Sequence, residues 1–550
     1  MKFCNICFLA AILALSTCNK ENPVNGGTVK EPSDWTVSGT VTCSDGTRLE
    51  GVVVSDGVNC VKTDAKGRYY LSSDLTATDY VFVSTPSEYS APVESGMATF
   101  WKFLRYCPSD SEGRYTADFT LYRISNPECY SVMLFADPQP RNSGAARDKV
   151  GYHSLDICED MYHDMRDLVS DVPGRKFYGI GLGDIVHQDL SLLANYLAGM
   201  ATTGVTTYNV IGNHDHGHRF MADDLSSKDF EEQMGPVNYS FNLGGIHYLI
   251  LDNMISPDPS TEKYCDDCAT GLTDRIWQYV QNDLALVPHN VPLMVCAHSP
   301  MMRMENGKNR SGQHLDDLRA LLANYPKAYV WAGHTHATFN YVDLSNPVIE
   351  SHTVSRVTGA FWTNDWLGAN GTPRGYVIMD YDNGDISWWF KPLYFQAGAW
   401  IGRENDGTPD YTWRDWDYDS SGRAIMKATG KPLGSSYQMQ LFPPGTYDEG
   451  DGYVYANIFL WDEAWKMPQF TSASGSTPME RVTDSSHSYS YSDWSITSFY
   501  HKNTRIGADY VPSTNNCRSI FRVRVPDAHG SGSVSVTDRF GHTYTSTINW

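Results

Sequence analysis

Tyr208-Asn209-Val210-Ile211-Gly212-Asn213-His214-Asp215 is a stretch in which a short apolar run ends abruptly in a glycine and three polar residues. The apolar part has the length and composition of a buried strand. The glycine permits a tight turn, and asparagine and histidine side chains can both bind a metal ion. The stretch therefore predicts a strand whose carboxyl end carries polar chemistry.

The same arrangement recurs at four other places along the chain. In each of them a short apolar strand stops at residues able to bind a metal: Asp137-Pro138-Gln139, Gly183-Asp184, His298, and Gly333-His334-Thr335-His336. In an open α/β sheet, the crevice outside the carboxyl ends of the strands is the usual ligand site. Side chains from five distant segments are therefore expected to converge on one centre.

Segments with helical spacing lie between several of these strands. Apolar side chains recur with a period near 3.6 from Leu155, from Ile276 and from Leu315. Thr273 is placed to cap the second of these helices. The alternation of strands and helices predicts a layered α/β domain with a central sheet over residues 126–370.

Sequence typical of strands lies on both sides of this domain. Residues 35–125 alternate apolar and polar side chains between turn signals. They resemble the prealbumin-like or carboxypeptidase-regulatory-like β-sandwich at the front of many exported bacterial proteins, which implies a spacer or docking module with no chemistry of its own. Residues 371–550 return to strand patterns, with a hairpin signal at Asn383-Gly384. They are predicted to form a C-terminal β-rich domain.

The first residues have the pattern of a targeting segment. Lys2 precedes the apolar run FLAAILAL, which is too short to span a bilayer as a mature helix. Residues 1–18 resemble a bacterial lipoprotein signal peptide, whose cleavage leaves Cys18 as the lipidated first residue and 19–34 as a polar linker. The resemblance implies an exported protein anchored in a membrane on its periplasmic or cell-surface face. An ordinary secretory signal is the alternative.

The overall charge argues against nucleic acid polymers as partners. The chain carries 64 acidic against 42 basic residues, a net charge of −22, and such a surface repels a phosphate backbone. It does not exclude a small anionic substrate, because bound metal ions reverse the sign of the charge locally.

Export would also permit disulfides. Cys43 with Cys60 is a candidate pair in the first domain. Cys265-Asp266-Asp267-Cys268 is a lone C-x-x-C segment. We interpret it as a local disulfide or two surface thiols rather than as a zinc site.

In their order along the chain, the five polar clusters resemble the blocks D-x-H, G-D, G-N-H-D/E, H and G-H-x-H of the calcineurin-like metallophosphoesterase superfamily. Each cluster alone has a structural explanation, such as a turn or a cap, but five ordered blocks on strand ends are specific. The resemblance implies a four-layer α/β/β/α core. The flanking β domains resemble a bacterial branch of the superfamily.

The resemblance also implies a dinuclear metal centre. The first ion would be held by Asp137, Gln139, Asp184 and His336. The second would be held by Asp184, Asn213, His298 and His334. Asp184 would thus bridge the two ions. His214 would not bind metal but would stabilise the phosphate or protonate the leaving oxygen, with Asp215 orienting its ring.

The implied reaction is hydrolysis of phosphomonoesters or phosphodiesters by attack of a metal-bridging hydroxide. Two ions about 3.5–4 Å apart lower the pKa of the water they share toward neutrality, and they neutralise the phosphate oxygens. Because Asp137 and Asp184 are the only ligand carboxylates, the centre keeps positive charge and attracts an anion. A phosphate-ester small molecule or a lipid head group is the expected substrate.

Gln139 departs from the family pattern, which has histidine at this position. Its amide oxygen is neutral and hard, so the first ion is expected to bind less firmly, or to be Mn or Mg rather than Zn or Fe. The departure also supports an alternative of another class, in which a degenerate site sits on a surface lipoprotein that binds glycan or protein. Metal content would separate the two.

Several further residues have more than one possible interpretation from the sequence. His187 lines the pocket or lies on the surface. His216 and His218 are possible pocket residues, although a structural role is favoured for both. A group just before the C-terminal domain either roofs the site or packs in a domain interface: Trp362, Asn364, Asp365 and Trp366.

Overall fold

A computed structural model of the protein describes twelve stretches of the chain: 33–141, 154–217, 222–256, 268–302, 304–305, 308–358, 372–393, 416–420, 424–427, 429–444, 452–482 and 519–550. Several residues discussed above lie outside these stretches: the signal segment with Cys18, His218, Cys265, Trp362, Asn364, Asp365 and Trp366. Within the described stretches, no helix combines the length and the apolar character needed to cross a membrane.

The N-terminal region is built of strands, with one 3-10 turn at Leu104–Tyr106. The strands are β1 Val37–Cys43, β2 Val53–Ser55, β3 Cys60–Lys62, β4 Arg68–Leu71, β5 Tyr80–Ser84, β6 Tyr89–Ser90, β7 Val93–Glu94, β8 Met97–Ala98, β9 Trp101–Phe103, β10 Tyr115–Thr116 and β11 Phe119–Arg123. One sheet has the order β10-β1-β11-β6, with β4 paired to β1, and the other has the order β3-β2-β5-β9. The predicted β-rich N-terminal region is confirmed.

The candidate pair Cys43 and Cys60 does not form a disulfide. Both thiols are free, with Cys43 in β1 of one sheet and Cys60 in β3 of the other. Cys268 is disulfide-bonded, in agreement with a local disulfide in the C-x-x-C segment.

The central region alternates strands and helices. Its elements are β12 Cys129–Phe135, α1 Ser154–Asp171, β13 Lys176–Leu182, α2 Leu193–Ala201, β14 Thr206–Val210, α3 Asp223–Ser226, α4 Lys228–Met234, β15 Tyr239–Leu243, β16 Ile246–Leu251, β17 Met254–Ile255, β18 Ala269–Thr270, α5 Asp274–Leu284, β19 Leu293–Ala297, β20 Met304–Glu305, β21 Lys308–Asn309, α6 Leu315–Leu322, β22 Ala328–Ala332, β23 Phe339–Val342 and β24 Ile349–Thr353. Thr273 caps α5 as predicted, since its side chain accepts a hydrogen bond from the Ile276 amide.

The C-terminal region is again made of strands. They are β25 Gly375–Asp382, β26 Asp385–Pro392, β27 Trp416–Tyr418, β28 Ala424–Met426, β29 Met439–Phe442, β30 Tyr453–Ile458, β31 Gln469–Ser472, β32 Gly475–Pro478, β33 Glu480–Arg481, β34 Ile520–Arg524, β35 Ser531–Thr537 and β36 Thr543–Asn549. Most of them form two four-stranded sheets, β29-β30-β34-β33 and β32-β31-β35-β36.

Two sheets face each other at the centre of the protein. The first has the order β26-β25-β12-β13-β14-β8-β7 and the second the order β15-β16-β19-β22-β24-β23. The hydroxyls of Tyr130 and Tyr248 lie 3.1 Å apart across the interface, and the rings of Tyr208 and Phe241 stack with centroids 3.7 Å apart. The neighbours β12, β13 and β14 are parallel, as are β16, β19, β22 and β24, so within each set the carboxyl ends share one edge.

Helices cover the outer face of each sheet. Alternate side chains of β12 point to opposite faces, and Met133 belongs to a buried cluster that includes Met161 and Met165 of α1. On the other side, Asp283 of α5 bonds to His247 of β16 at 2.8 Å. The predicted four-layer α/β/β/α order is therefore confirmed.

Both flanking regions contribute strands to the first sheet. β25 pairs antiparallel with β12, so a hairpin that the sequence placed in the C-terminal domain extends the central sheet. At the opposite edge, β8 pairs with β14. The sheet thus uses residues on both sides of the limits expected at 125/126 and 370/371, because a strand pattern does not reveal which strand it will pair with.

A buried interdomain charge cluster joins the C-terminal region to the second sheet. The Arg539 guanidinium contacts the Glu350 carboxylate of β24 at 2.5 Å and the Asp462 carboxylate at 2.7 Å. Burial acts to raise the pKa of Glu350. His352 and Arg539 outweigh that effect and lower it to about 2, so the group is anionic at neutral pH.

Candidate metal centre

The five polar clusters meet at the carboxyl ends of β12, β13, β14, β19 and β22. Asp137, Asp184 and His336 have ligand atoms within 4.8 Å of one another, and so do Asp184, His298 and His334. Two amide side chains complete the arrangement. The Asn213 Oδ1 lies 3.0 Å from His334 Nδ1, and the Gln139 Nε2 donates to Asp184 Oδ2 at 2.6 Å. All seven predicted ligands are therefore brought together, with Asp184 common to both groups.

The donors of this centre suit divalent metal ions. Asp137 is fully buried, and within the described stretches its Oδ1 has no hydrogen-bond partner, an expensive state for a carboxylate without a cation. The imidazole nitrogen His336 Nε2 lies 3.4 Å from this oxygen. His298 bonds through Nδ1 to the Leu182 carbonyl at 2.8 Å, which leaves its Nε2 directed at Asp184. Carboxylate oxygens, imidazole nitrogens and amide oxygens are ligands for Mn, Fe, Zn or Mg.

Backbone strain is concentrated at the same residues. Nine non-glycine residues of the described stretches have a positive φ, a conformation that is costly for residues other than glycine. Five of the nine are predicted ligands: Asp137, Gln139, Asp184, His334 and His336. Strain of this kind persists only where the surrounding structure enforces it, and it gathers at functional sites.

Glycines allow the turns to approach one another closely. A Cβ atom at Gly212 would lie 2.2 Å from Asp184 Oδ1, and one at Gly333 would lie 2.6 Å from Asp137 Oδ2. These distances are far below van der Waals contact, so any side chain at either position would displace a carboxylate of the centre. Glycine is therefore needed at both positions for the turns to bring the ligands close together.

Gly212→Ala should therefore weaken metal binding by about 10–100-fold, the range seen when the support of a ligand is removed. Metal content after equilibrium dialysis against graded manganese measures the effect. Gly434→Ala is the matched control, because its Cβ would meet nothing closer than the Pro432 carbonyl at 4.0 Å. Equal affinities in Gly212→Ala and the native protein would contradict the crowding argument.

The charges of the centre depend strongly on one another. Burial acts to raise the pKa of Asp184, but the neighbouring His298 and His214 hold it well below its usual range. Burial acts to lower the pKa of His298, but Asp184 raises it to about 9. Burial and the charge of His298 lower the pKa of His334 to about 3. Asp184 therefore remains anionic at neutral pH, when His334 is neutral.

His214 lies at the edge of the centre. Its backbone amide donates to Asp184 Oδ1 at 2.9 Å, and its Nε2 lies 3.9 Å from Asp184 Oδ2. The ring of His187 lies beside it, with ring centroids 4.3 Å apart. His187 is therefore a neighbour of the site rather than a remote surface residue. Burial and the charge of His214 lower its pKa to about 3.

The contacts of Asp215 differ from the predicted orientation of the His214 ring. Its fully buried carboxylate accepts hydrogen bonds from the amides of Ile185, Val186 and Gly212 at 2.9–3.0 Å. Asp215 therefore ties the loop after β13 to the loop after β14, and its role is to fix the turns that carry Asp184 and Asn213. A sequence motif shows that Asp215 follows His214 but not where its side chain bonds.

His216 has the structural role that was favoured for it. It is buried, its Nδ1 lies 2.8 Å from the Ser226 hydroxyl, and its Nε2 lies 3.4 Å from Asp252. Two residues that sequence reasoning missed are Arg356 and Thr358, which bond to carbonyl groups of the turn 137–139. No motif marks them, because their partners are backbone atoms.

Fold and site together define a two-sheet α/β protein with a ligand set for two divalent ions. Residues 130–338 match the profile described as "Calcineurin-like phosphoesterase". Residues 35–123 match "N terminal of Calcineurin-like phosphoesterase", and residues 351–544 match "C terminal of Calcineurin-like phosphoesterase". The chain belongs to the calcineurin-like phosphoesterase family.

Several solved structures are similar to part of the chain. A dimetal phosphatase from Danio rerio is 14% identical, covering 48% of this chain and 96% of its own, with a TM-score of 0.36. The purple acid phosphatase PPD1 from yellow lupin is 13% identical, covering 62% and 67%, with a TM-score of 0.32. A 5'-nucleotidase from Candida albicans is 12% identical, covering 48% and 51%, with a TM-score of 0.28. No curated protein matches the sequence.

Proposed function

We propose that this protein is a dinuclear-metal phosphoesterase that hydrolyses phosphomonoesters or phosphodiesters. The observation that carries the proposal is the position of Asp184, whose carboxylate belongs to both groups of converging ligand atoms. A carboxylate shared in this way suits a pair of ions that act on one phosphate group. Membership of the calcineurin-like phosphoesterase family supports the same class of reaction.

Each residue of the centre has a proposed part in this function. Asp137, Gln139, Asp184 and His336 would hold one ion, and Asp184, Asn213, His298 and His334 the other. The amide of Gln139 can present Oε1 after half a turn about its terminal bond. When bound, the ions supply Lewis-acid activation of water and neutralise phosphate charge. His214 stabilises the phosphate oxygens or gives a proton to the leaving oxygen, while Asp215 holds the turn on which His214 lies.

His214→Ala should lower kcat by about 10²–10⁴-fold, the usual contribution of general acid–base catalysis, and should leave the metal content unchanged. Steady-state kinetics on a chromogenic phosphate ester, with metal analysis of the same sample, measures both quantities. His314→Ala is the control. His314 precedes α6, where it bonds to Asp317 of α6 and Asp274 of α5, and it should be dispensable for activity. Full turnover in His214→Ala would refute its assigned role.

A screen of a monoester and a diester across Mn, Zn, Fe and Mg tests the proposed function directly. We expect cleavage of at least one ester type and its loss on adding a chelator. A protein that binds two ions and cleaves neither ester would contradict the proposal. If the protein binds no metal even when the metal is supplied in excess, the alternative is favoured: a surface lipoprotein that engages glycan or protein.

We also propose that the protein acts outside the cytoplasm, anchored by lipid on Cys18. The support is the sequence of residues 1–18, which resembles a lipoprotein signal peptide. Cys18→Ser should move the protein from the membrane fraction to the soluble fraction and abolish incorporation of a labelled fatty acid. Thr17→Ser, a neighbouring change that keeps the cysteine, is the control. Unchanged fractionation and labelling in Cys18→Ser would refute the anchor.

A further inference from the structure

We propose that Arg356 is a positioning residue that sets the affinity of the first metal position, formed by Asp137, Gln139, Asp184 and His336. The inference rests on the proposed function, since it takes the centre to hold two ions. Arg356 contacts the backbone of the ligand residues rather than acting as a ligand. It follows β24 of the second sheet, whereas Asp137 and Gln139 follow β12 of the first.

The segment 356–358 binds the ligand turn along its whole length. The fully buried guanidinium of Arg356 donates through Nε to the Asp137 carbonyl at 3.2 Å and through Nη2 to the Gln139 carbonyl at 3.3 Å. The Thr358 hydroxyl donates to the Pro138 carbonyl at 3.1 Å. Three consecutive carbonyls of the turn are therefore held by one segment of the opposite sheet.

The turn needs such support because its backbone is strained. Asp137 has a φ of 52° and Gln139 a φ of 40°, and neither is a glycine. Pro138 between them has a fixed φ and no amide hydrogen to donate. Hydrogen bonds from a charged donor are stronger than those between neutral groups. The rigid Arg356 guanidinium donates two such bonds, one to the Asp137 carbonyl and one to the Gln139 carbonyl. These bonds fix the separation of the two residues and therefore of their side chains.

Arginine is suited to this task in a way that lysine is not. A guanidinium is a planar fork that reaches two acceptors at once, whereas an ammonium is a compact point charge. A positive charge close to a metal site also opposes binding of the ion, so charge alone does not account for the residue. Arg356→Lys keeps the charge and removes the fork, and it therefore separates positioning from electrostatics.

The effect should be confined to the first position. Arg356 donates hydrogen bonds to the turn that carries Asp137 and Gln139. The second position takes His298 from the end of β19, where its ring is fixed by the Leu182 carbonyl. We therefore expect the second ion to bind in Arg356→Lys as it does in the native protein.

Titration of the metal-free full-length protein with manganese, with free Mn²⁺ followed by electron paramagnetic resonance, measures both affinities. The native protein should bind two ions. In Arg356→Lys one affinity should be unchanged and the other at least about ten-fold weaker, as for other supports of a metal ligand. Arg374→Lys is the matched control, since Arg374 is equally buried but pairs with Asp160 of α1.

Double variants assign the weakened position. At a manganese concentration where Arg356→Lys holds one ion, adding His298→Ala should remove that ion, and adding His336→Ala should not. Thr358→Val, which removes the bond to the Pro138 carbonyl, should weaken the same position to a smaller extent, and it serves if Arg356→Lys does not fold.

Two ions bound with native affinities in both Arg356→Lys and Thr358→Val, or equal weakening of both ions, would overturn the inference. Native protein that binds no manganese would instead contradict the proposed function. The two failures are therefore distinguishable.

Discussion

Asp184→Asn should lower kcat/KM for phosphate esters by about 10³-fold or more, at least as much as the loss of one strong electrostatic contact in an active site. The carboxylate of Asp184 belongs to both groups of ligand atoms, so its loss affects both ions at once. Asparagine preserves the shape of the side chain but removes the negative charge, and the neighbouring His298 and His214 lose their nearest anion. Kinetics and metal content on the same preparation measure the result.

Asp343→Asn is the control for this experiment. Asp343 lies in the turn after β23, where its carboxylate accepts bonds from Ser345, so the same chemical change should leave activity and metal content as they are. Asp184→Asn protein that retains two ions and native turnover would place the reactive centre elsewhere in the chain.

Arg539→Met should destabilise the folded protein by about 3–5 kcal/mol, the usual result of removing one partner from a buried ion pair. The Glu350 and Asp462 side chains are 2% and 0% exposed. Asp462 would lose its guanidinium partner, whereas Glu350 would keep its contacts with Lys327 and His352, so most of the loss is expected at Asp462. Urea unfolding followed by tryptophan fluorescence is a suitable measurement, because Arg539 lies over the ring of Trp388 at 5.2 Å.

Arg522→Met provides the comparison for Arg539→Met. Arg522 pairs with Glu480 on the surface of the same region, with side chains 33% and 60% exposed. A pair this exposed contributes at most about 1 kcal/mol. Equal losses in the two variants would mean that the interdomain charge cluster does not hold the C-terminal region to the second sheet.

The ends of the strands were the most predictable part of the protein. An apolar run followed by Gly212-Asn213 or by Gly333-His334 reports both a buried strand and the point where it stops. Parallel strands of one sheet bring such ends to one edge, so convergence of the ligands follows from local patterns. The apolar run Ile246–Leu251 likewise coincides with β16.

Long-range contacts could not be predicted in the same way. The pairing of β25 with β12 joins residues some 250 positions apart. The sequence pattern of one strand does not indicate which other strand it pairs with. The bonds from Arg356 to the Asp137 and Gln139 carbonyls involve backbone atoms, which every residue has. Asp215 was assigned to a neighbouring ring because motifs record order along the chain, whereas its carboxylate binds amides of two loops.

Because both flanking regions contribute strands to the first sheet, the central α/β region cannot be separated from them without breaking that sheet. A fragment limited to 126–370 would lose β25 beside β12 and β8 beside β14. The fragment would then expose two sheet edges with unpaired backbone amides and carbonyls. Exposed edges of this kind promote pairing between copies of a protein. Expression of this fragment without the flanking regions is therefore expected to yield aggregates.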